Sequence, residues 1–395
     1  MSTITNTLSL QTKKAAIWPK IMWLVLFIIG SIAVVQRFTQ GHLLTNYGSY
    51  VPWGLWVSAY MWLVGLSAGA FLFSSLHYVF GVERLERVSK FALLTALVTL
   101  ICALVAILFD LGQMWRFYRI FTSPNFSSMM TWMVWLYTAY AILLVSELYL
   151  VLKKPNEKRK IRIIASVGLP LAVAFSGGAG ALFSTVAARP TWHSPMMPIL
   201  FLTGALVSGG GLLLLIVGLY GKIEAETRRK IAMYIAKLVA GFLIFDLLLE
   251  WAEFSIPMWY GVGHEFEALR MVLFGQFWWV FWVVHLLIGS LIPLYILLRS
   301  KSTKALAFAG SLIAVTFMAV RLNIVIPAFM TPELEGLQNS FTGDRLQFAY
   351  VPSLHEWQVL LFIVCAGFAM FYVGSRVLGN NAGDGQASDL IYEEK

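Results

Sequence analysis

The chain has 395 residues, of which 59% are hydrophobic and only 12% charged, about half the charge of a soluble globular protein. That composition excludes an ordinary soluble enzyme. Two cysteines, Cys102 and Cys365, both in apolar stretches, point to neither a disulfide framework nor a metal or iron–sulfur site. The formal net charge of +9 would suit nucleic acid, but the placement of the charges argues for a different use.

Residues 1–19 are polar, and the apolar run after them is too long for a cleaved signal peptide, so they read as a cytoplasmic tail. Ten apolar runs follow, at about 20–36, 54–80, 90–112, 129–152, 162–186, 196–220, 231–255, 272–299, 305–327 and 355–379. Each can cross a hydrocarbon core of roughly 30 Å as a helix. Residues 20–379 thus read as one transmembrane domain, and the polar, acidic stretch 380–395 as a disordered cytoplasmic tail. Small residues recur at packing spacing: Gly65 and Gly69 in the second span, Gly177, Gly178 and Gly180 in the fifth, and Gly209, Gly210 and Gly211 in the sixth. Trp53, Trp56, Trp132, Trp278, Trp279 and Trp282 collect at span ends, as in an interfacial belt.

Of the 29 Lys and Arg residues, 21 fall in the tails and alternate loops that share a side with the chain ends. The opposite loops and their helix ends hold seven: Arg37, Arg116, Arg119, Arg189, Arg270, Arg321 and Arg345. The positive-inside rule then places both termini in the cytoplasm of a multi-pass protein in the cytoplasmic (inner) membrane. The basic balance is a topology signal and calls for no nucleic-acid partner.

The polar residues that could carry chemistry gather at the outer ends of the spans. The third span ends with Asp110, Gln113, Arg116 and Arg119; a hinge between the fifth and sixth carries Arg189, Trp192 and His193. Asp246, Glu250 and Glu253 stand at i, i+4 and i+7 on one face of the seventh span. Arg321 and Asn323 lie in the ninth span, and the tenth opens with Ser353-Leu354-His355-Glu356. Ionisable groups inside spans are costly and face the bundle interior or a wet cavity. The carboxylate row suits a proton route or ion pairs, with Arg321 and Arg270 as partners. His77 and His285 sit at different depths, so a bis-histidine haem is not expected, and His285 reads as bonded to a neighbouring helix. Glu147 reads as a snorkelling or paired surface carboxylate. The loop at about 328–354, with Pro332, Glu333, Glu335, Asp344 and Arg345, is long enough to be a binding loop.

Several motifs resemble the NrfD/PsrC family of polysulfide-reductase-like membrane subunits. Val51-Pro52-Trp53-Gly54-Leu55 followed by Gly65-Leu66-Ser67-Ala68-Gly69-Ala70 is similar to its second-helix pattern. Asp110-Leu111-Gly112 with Arg116 resembles its Asp-Leu-Gly…Arg motif, and Gly180–Ser184 with Ala188–Pro195 resembles its Arg-Pro-x-Trp-Asn-Thr-Pro segment. Beyond about residue 220 the likeness is looser. The ten spans, Arg321-Leu322-Asn323 and the Ser353–Glu356 stretch look like the longer branch, which includes hydrogenase- and sulfite-reductase-associated subunits. Two positions depart: His193 stands where the family has Asn, and Ser176 where some long-branch members have His.

The resemblance implies an all-α polytopic membrane bundle, two four-helix bundles plus two extra helices. It implies a subunit with no haem or iron–sulfur cluster of its own, no metal and no catalytic residues. Menaquinone or ubiquinone from the lipid phase would bind near the outer face. Electrons would pass to a docked ferredoxin-like iron–sulfur subunit, and through it to a molybdoenzyme, hydrogenase or sulfur-metabolism enzyme. The quinone-binding set expected from these motifs and residues is Asp110, Arg116, Tyr137, Arg189, Trp192, His193 and His355. Asp246, Glu250 and Glu253 form the expected proton pathway, and Trp53 is a further stacking candidate. The alternative reading is a secondary transporter or ion-translocating subunit.

Overall fold

A computed structural model describes residues 17–219, 224–334, 336–341 and 343–381. Most of the expected N-terminal tail, nearly all of the acidic C-terminal tail and Glu335 of the outer loop lie outside the described residues. Among the described residues, ten helices are long and apolar enough to cross a membrane. They are α1 (Trp18–Gln40), α2 (Leu55–Tyr78), α3 (Glu86–Asp110), α4 (Met129–Lys153), α5 (Lys158–Ser184), α6 (Met197–Leu219), α7 (Ala225–Tyr260), α9 (Val280–Arg299), α10 (Thr303–Met330) and α11 (Leu354–Asn381). A shorter helix, α8 (Gly263–Phe274), lies between α7 and α9.

Two expected boundaries are corrected. The seventh span, expected over 231–255, runs 36 residues, about 54 Å at the helical rise. It therefore outreaches the apolar core at one or both ends, and stops where Gly261 turns left-handed at φ 67°. The eighth span, expected from 272, begins only at Val280. The apolar residues Met271–Phe274 belong to α8, which ends as Gly275 N–H turns back onto the Arg270 and Met271 carbonyls.

Two four-helix groups build the molecule. Helices α2, α3, α4 and α5 pack together, as do α6, α7, α9 and α10; the groups meet along α2–α6, α5–α6 and α2–α10. Helices α1 and α11 pair with each other against α3. In α2, eighteen consecutive residues carry hydropathy typical of a lipid-facing span, yet 89% of them are buried. Its small residues let neighbours close over every face. On the face opposite the chain ends, the ends of α1, α2, α3 and α11 thereby converge, which decides what meets at the candidate site.

Candidate functional site

Trp56, in the first turn of α2 and fully buried, is the hub of one polar cluster. Around its ring stand His42 at 6.0 Å, Tyr47 at 5.7 Å and His355 at 6.3 Å between centroids, with the Arg37 guanidinium at 5.8 Å. Arg37 closes the end of α3. Its Nε donates to Phe109 O (2.8 Å) and its Nη2 to Leu111 O (2.7 Å), answering carbonyls that the helix end leaves open. Nη2 also meets His42 Nε2 at 2.9 Å. Arginine can only donate, so that nitrogen accepts. Burial, then Arg37, pushes His42 below the usual histidine range. Burial, then Asp110, raises Tyr47 well above the usual phenol, so its hydroxyl keeps its proton.

The first turn of α11 supplies the other wall. Ser353 Oγ accepts the Glu356 N–H and Glu356 Oε1 accepts the Ser353 N–H, both at 3.2 Å. This is a capping box. Glu356 also accepts the Asn46 N–H at 2.9 Å and the Tyr350 hydroxyl. Glu356 is thus occupied by structure, while its neighbour His355 is left open. His355 Nδ1 and Nε2 are both buried without a hydrogen-bond partner among the described residues, whereas the Tyr47 hydroxyl and the Asp110 carboxyl lie within hydrogen-bond reach of each other. A buried polar group without a partner costs about 1–3 kcal/mol, and the His355 ring carries two.

A second cluster lies inside the other four-helix group. Asp246 accepts the Thr203 hydroxyl. His285 Nδ1 lies 3.5 Å from Glu250 Oε1, the neighbouring-helix contact expected of it, without a closed hydrogen bond. Arg321 lies flat over Phe201 at 4.0 Å, within electrostatic reach of both carboxyls. Gly204 makes the space: a methyl there would stand 2.8 Å from Arg321 Nη2. His285 belongs to the π-helical stretch Val280–Leu291 of α9, a distortion common at functional positions. Thr203 lies six residues into α6, about 9 Å in from its N-terminal end at 1.5 Å per residue. Asp246, Glu250, Glu253 and Arg321, with Asn323 and Glu265 of α8, line a cavity of about 70 Å³. That is room for several water molecules, but not for a quinone ring.

The hinge residues have structural positions. Arg189 Nη1 donates to Ala328 O (2.6 Å) and Thr331 O (3.1 Å), and its Nε pairs with Glu333 at 2.9 Å. Trp192 donates to Ile324 O at 2.7 Å, and its buried ring stacks on Trp53 at 6.2 Å. Both residues tie the hinge to α10. His193 is exposed and its Nδ1–H caps Ser184 O at 2.7 Å. Tyr137 is buried in the first bundle with its hydroxyl on that of Tyr60. Arg116 is exposed on a short turn after α3.

Of the residues expected at one quinone site, Asp110 and His355 lie at the Trp56 cluster, whereas Arg116, Tyr137, Arg189, Trp192 and His193 are placed elsewhere. The proton-pathway trio does share one cavity. Arg37, His42, Tyr47 and Tyr350 escaped the sequence reading. The one signal for this region was Ser353-x-x-Glu356, a capping-box pattern that marks a helix start and so fixes where His355 points.

Among the described residues, no group of three or more His, Cys, Asp or Glu is placed to hold a metal ion. The polysulphide reductase, NrfD, family profile matches residues 43–333. A selenate reductase subunit of Mesobacillus selenatarsenatis is 31% identical over 84% of this chain and 86% of its own length. The Hdr-like menaquinol oxidoreductase integral membrane subunit of Archaeoglobus fulgidus is 29% identical, covering 88% and 89%. With a profile match that spans most of the chain and includes Asp110 and the Arg189–His193 hinge, this ten-helix membrane protein belongs to the NrfD family.

Proposed function

We propose that the chain is the quinone-exchanging membrane subunit of a multisubunit respiratory oxidoreductase. It passes electrons between membrane menaquinone or ubiquinone and a ferredoxin-like iron–sulfur subunit docked on the outer face, which serves a catalytic subunit. The observation that carries this reading is His355, buried with both ring nitrogens unpartnered among the described residues, beside the Tyr47–Asp110 pair at the outer ends of α1, α3 and α11. Oxidation of a quinol yields a quinone, two protons and two electrons. Asp110 and His355 are the two groups that can take the protons, and the Tyr47 hydroxyl can donate to a quinone carbonyl. Exposed Phe38, Leu111 and Trp115 flank the cluster and suit an isoprenoid tail arriving from lipid. The names of the two relatives, a reductase subunit and a menaquinol oxidoreductase subunit, agree with this reading. The Lys and Arg distribution favours the cytoplasmic membrane with both chain ends cytoplasmic.

The carboxyl-lined cavity between α6, α7, α8 and α10 serves as the proton pathway in this reading, with Asp246, Glu250 and Glu253 as expected and His285 and Arg321 added. Its small volume also keeps an ion-translocating role in view. The test is purification in mild detergent, identification of bound quinone and co-purifying chains, and quinol turnover of Asp110→Asn and His355→Gln. Each variant is expected to lose roughly 100-fold or more in turnover while the complex still assembles. Wild-type turnover in both removes this cluster from the reaction. A quinone-free chain that purifies alone favours ion translocation.

A further inference from the structure

Glu147 of α4 is fully buried, and neither carboxyl oxygen has a hydrogen-bond partner among the described residues. This corrects the expectation of a surface carboxylate. It lies six residues before the end of α4, about 9 Å in from the face that carries the chain ends. An ionised carboxylate here would be an unpaired charge in an apolar wall, which costs far more than one buried amide. A Leu or Gln would fill the space without that cost.

The surroundings of Glu147 are ordered along one seam. Towards the chain-end face its electrostatic neighbour is Tyr78, the partly buried last residue of α2, which also senses the exposed Glu86 of α3. One turn above Tyr78 is Ser74, buried with its hydroxyl unpartnered. Towards the outer face Glu147 senses Tyr140, whose hydroxyl reaches Ser67 O of α2 at 3.3 Å. Tyr140 and Tyr137 both pack on Phe175, and Tyr137 shares a hydrogen bond with Tyr60. Tyr60 is one turn from Trp56, the hub of the outer cluster. Positions 60, 67 and 74 of α2 repeat every seven residues and share a face; the Tyr60 hydroxyl and the Ser67 carbonyl meet Tyr137 and Tyr140 of α4, while the Ser67 hydroxyl donates to Ala96 O of α3.

We propose that Glu147 is the loading site of a proton route that enters beside Tyr78 at the chain-end face and climbs the interior of the first four-helix group, between the facing side chains of α2 and α4, towards the outer cluster. The destination rests on the quinone reading above; the exchange of Glu147 with the chain-end side does not. Only protons move on this route. Two accompany each two-electron quinone reduction, or return along it when quinol is oxidised. The route is distinct from the α6–α10 cavity, which is lined by Asp246, Glu250, Glu253 and Glu265.

The test uses the purified complex sealed into liposomes of known orientation, with a pH indicator on the chain-end side. Glu147→Gln is expected to lower proton exchange on that side during quinol turnover at least ~10-fold, with quinone content and complex assembly unchanged. Glu147→Asp is expected to restore part of it, and Tyr78→Phe to slow it. Wild-type proton exchange in Glu147→Gln overturns the proposal. A second measurement needs neither quinone nor a variant: dicyclohexylcarbodiimide, which adds to protonated carboxyls in apolar surroundings, is applied and the adduct located by peptide mass. An adduct at Glu147 that declines as the chain-end side is made alkaline supports the loading site even if the quinone reading fails. No adduct, or one indifferent to that pH, overturns it.

Discussion

At the residue scale, Arg189, expected in the quinone-binding set, spends its guanidinium on the Ala328 and Thr331 carbonyls and Glu333. Arg189→Leu should therefore lower folding stability by about 2–3 kcal/mol, the range for hydrogen bonds to a charged group. Quinone affinity should stay unchanged; thermal unfolding in detergent and quinone titration read the two effects separately. His42 makes a pH prediction. Burial and Arg37 hold it below its usual value of 6.5, so the unfolded chain takes up its proton more readily. Its contribution to stability is complete above pH 6.5 and is lost as pH falls below that. His42→Gln should flatten the acid side of the stability profile, and an unchanged slope would assign it to other groups.

At the element scale, glycine spacing alone does not say which glycines matter. Gly65 and Gly69 form one GxxxG pattern on α2, but only at Gly69 is the neighbouring backbone too close for a side chain: a methyl there would overlap Ala205 O and stand 2.9 Å from Gly209 Cα on α6. At Gly65 the nearest atom is Ser208 Oγ at 3.6 Å. Gly69→Ala should cost about 1–3 kcal/mol by overpacking the α2–α6 contact, and Gly65→Ala less than about 0.5 kcal/mol. Equal Tm values for the two variants would contradict this packing. The ends of α7 and α9 were hard to place from sequence for a related reason. Hydropathy follows apolar content, and Met271–Phe274 is as apolar as a span although it ends a separate helix. The break at Gly275 depends on backbone geometry that composition does not record.

At the scale of the whole molecule, ten spans put the loop at Lys154 and the loop at Asp344 on opposite faces. Cys102 and Cys365 are buried, so single exposed cysteines can be read against them. Lys154→Cys and Asp344→Cys in sealed vesicles should react with a membrane-impermeant maleimide from opposite sides. Labelling of both from one side would contradict the odd number of crossings between them.

The sequence by itself determined the class of the protein, the number of spans and the two faces between which its charges divide. Those properties add up over some twenty neighbouring residues and need no knowledge of what packs where. It also showed that polar chemistry concentrates at one set of helix ends, and that Asp246, Glu250 and Glu253 share a helix face. Only the tertiary structure decided which of those groups meet. Asn46 and Glu356 bond across 310 residues of chain, and that closure brings His355 and Tyr47 to the same Trp56 ring. The same packing separates the hinge into a structural tie and buries Glu147 without a partner. Contacts of this kind depend on how helices remote in sequence stack side by side, which no local pattern encodes.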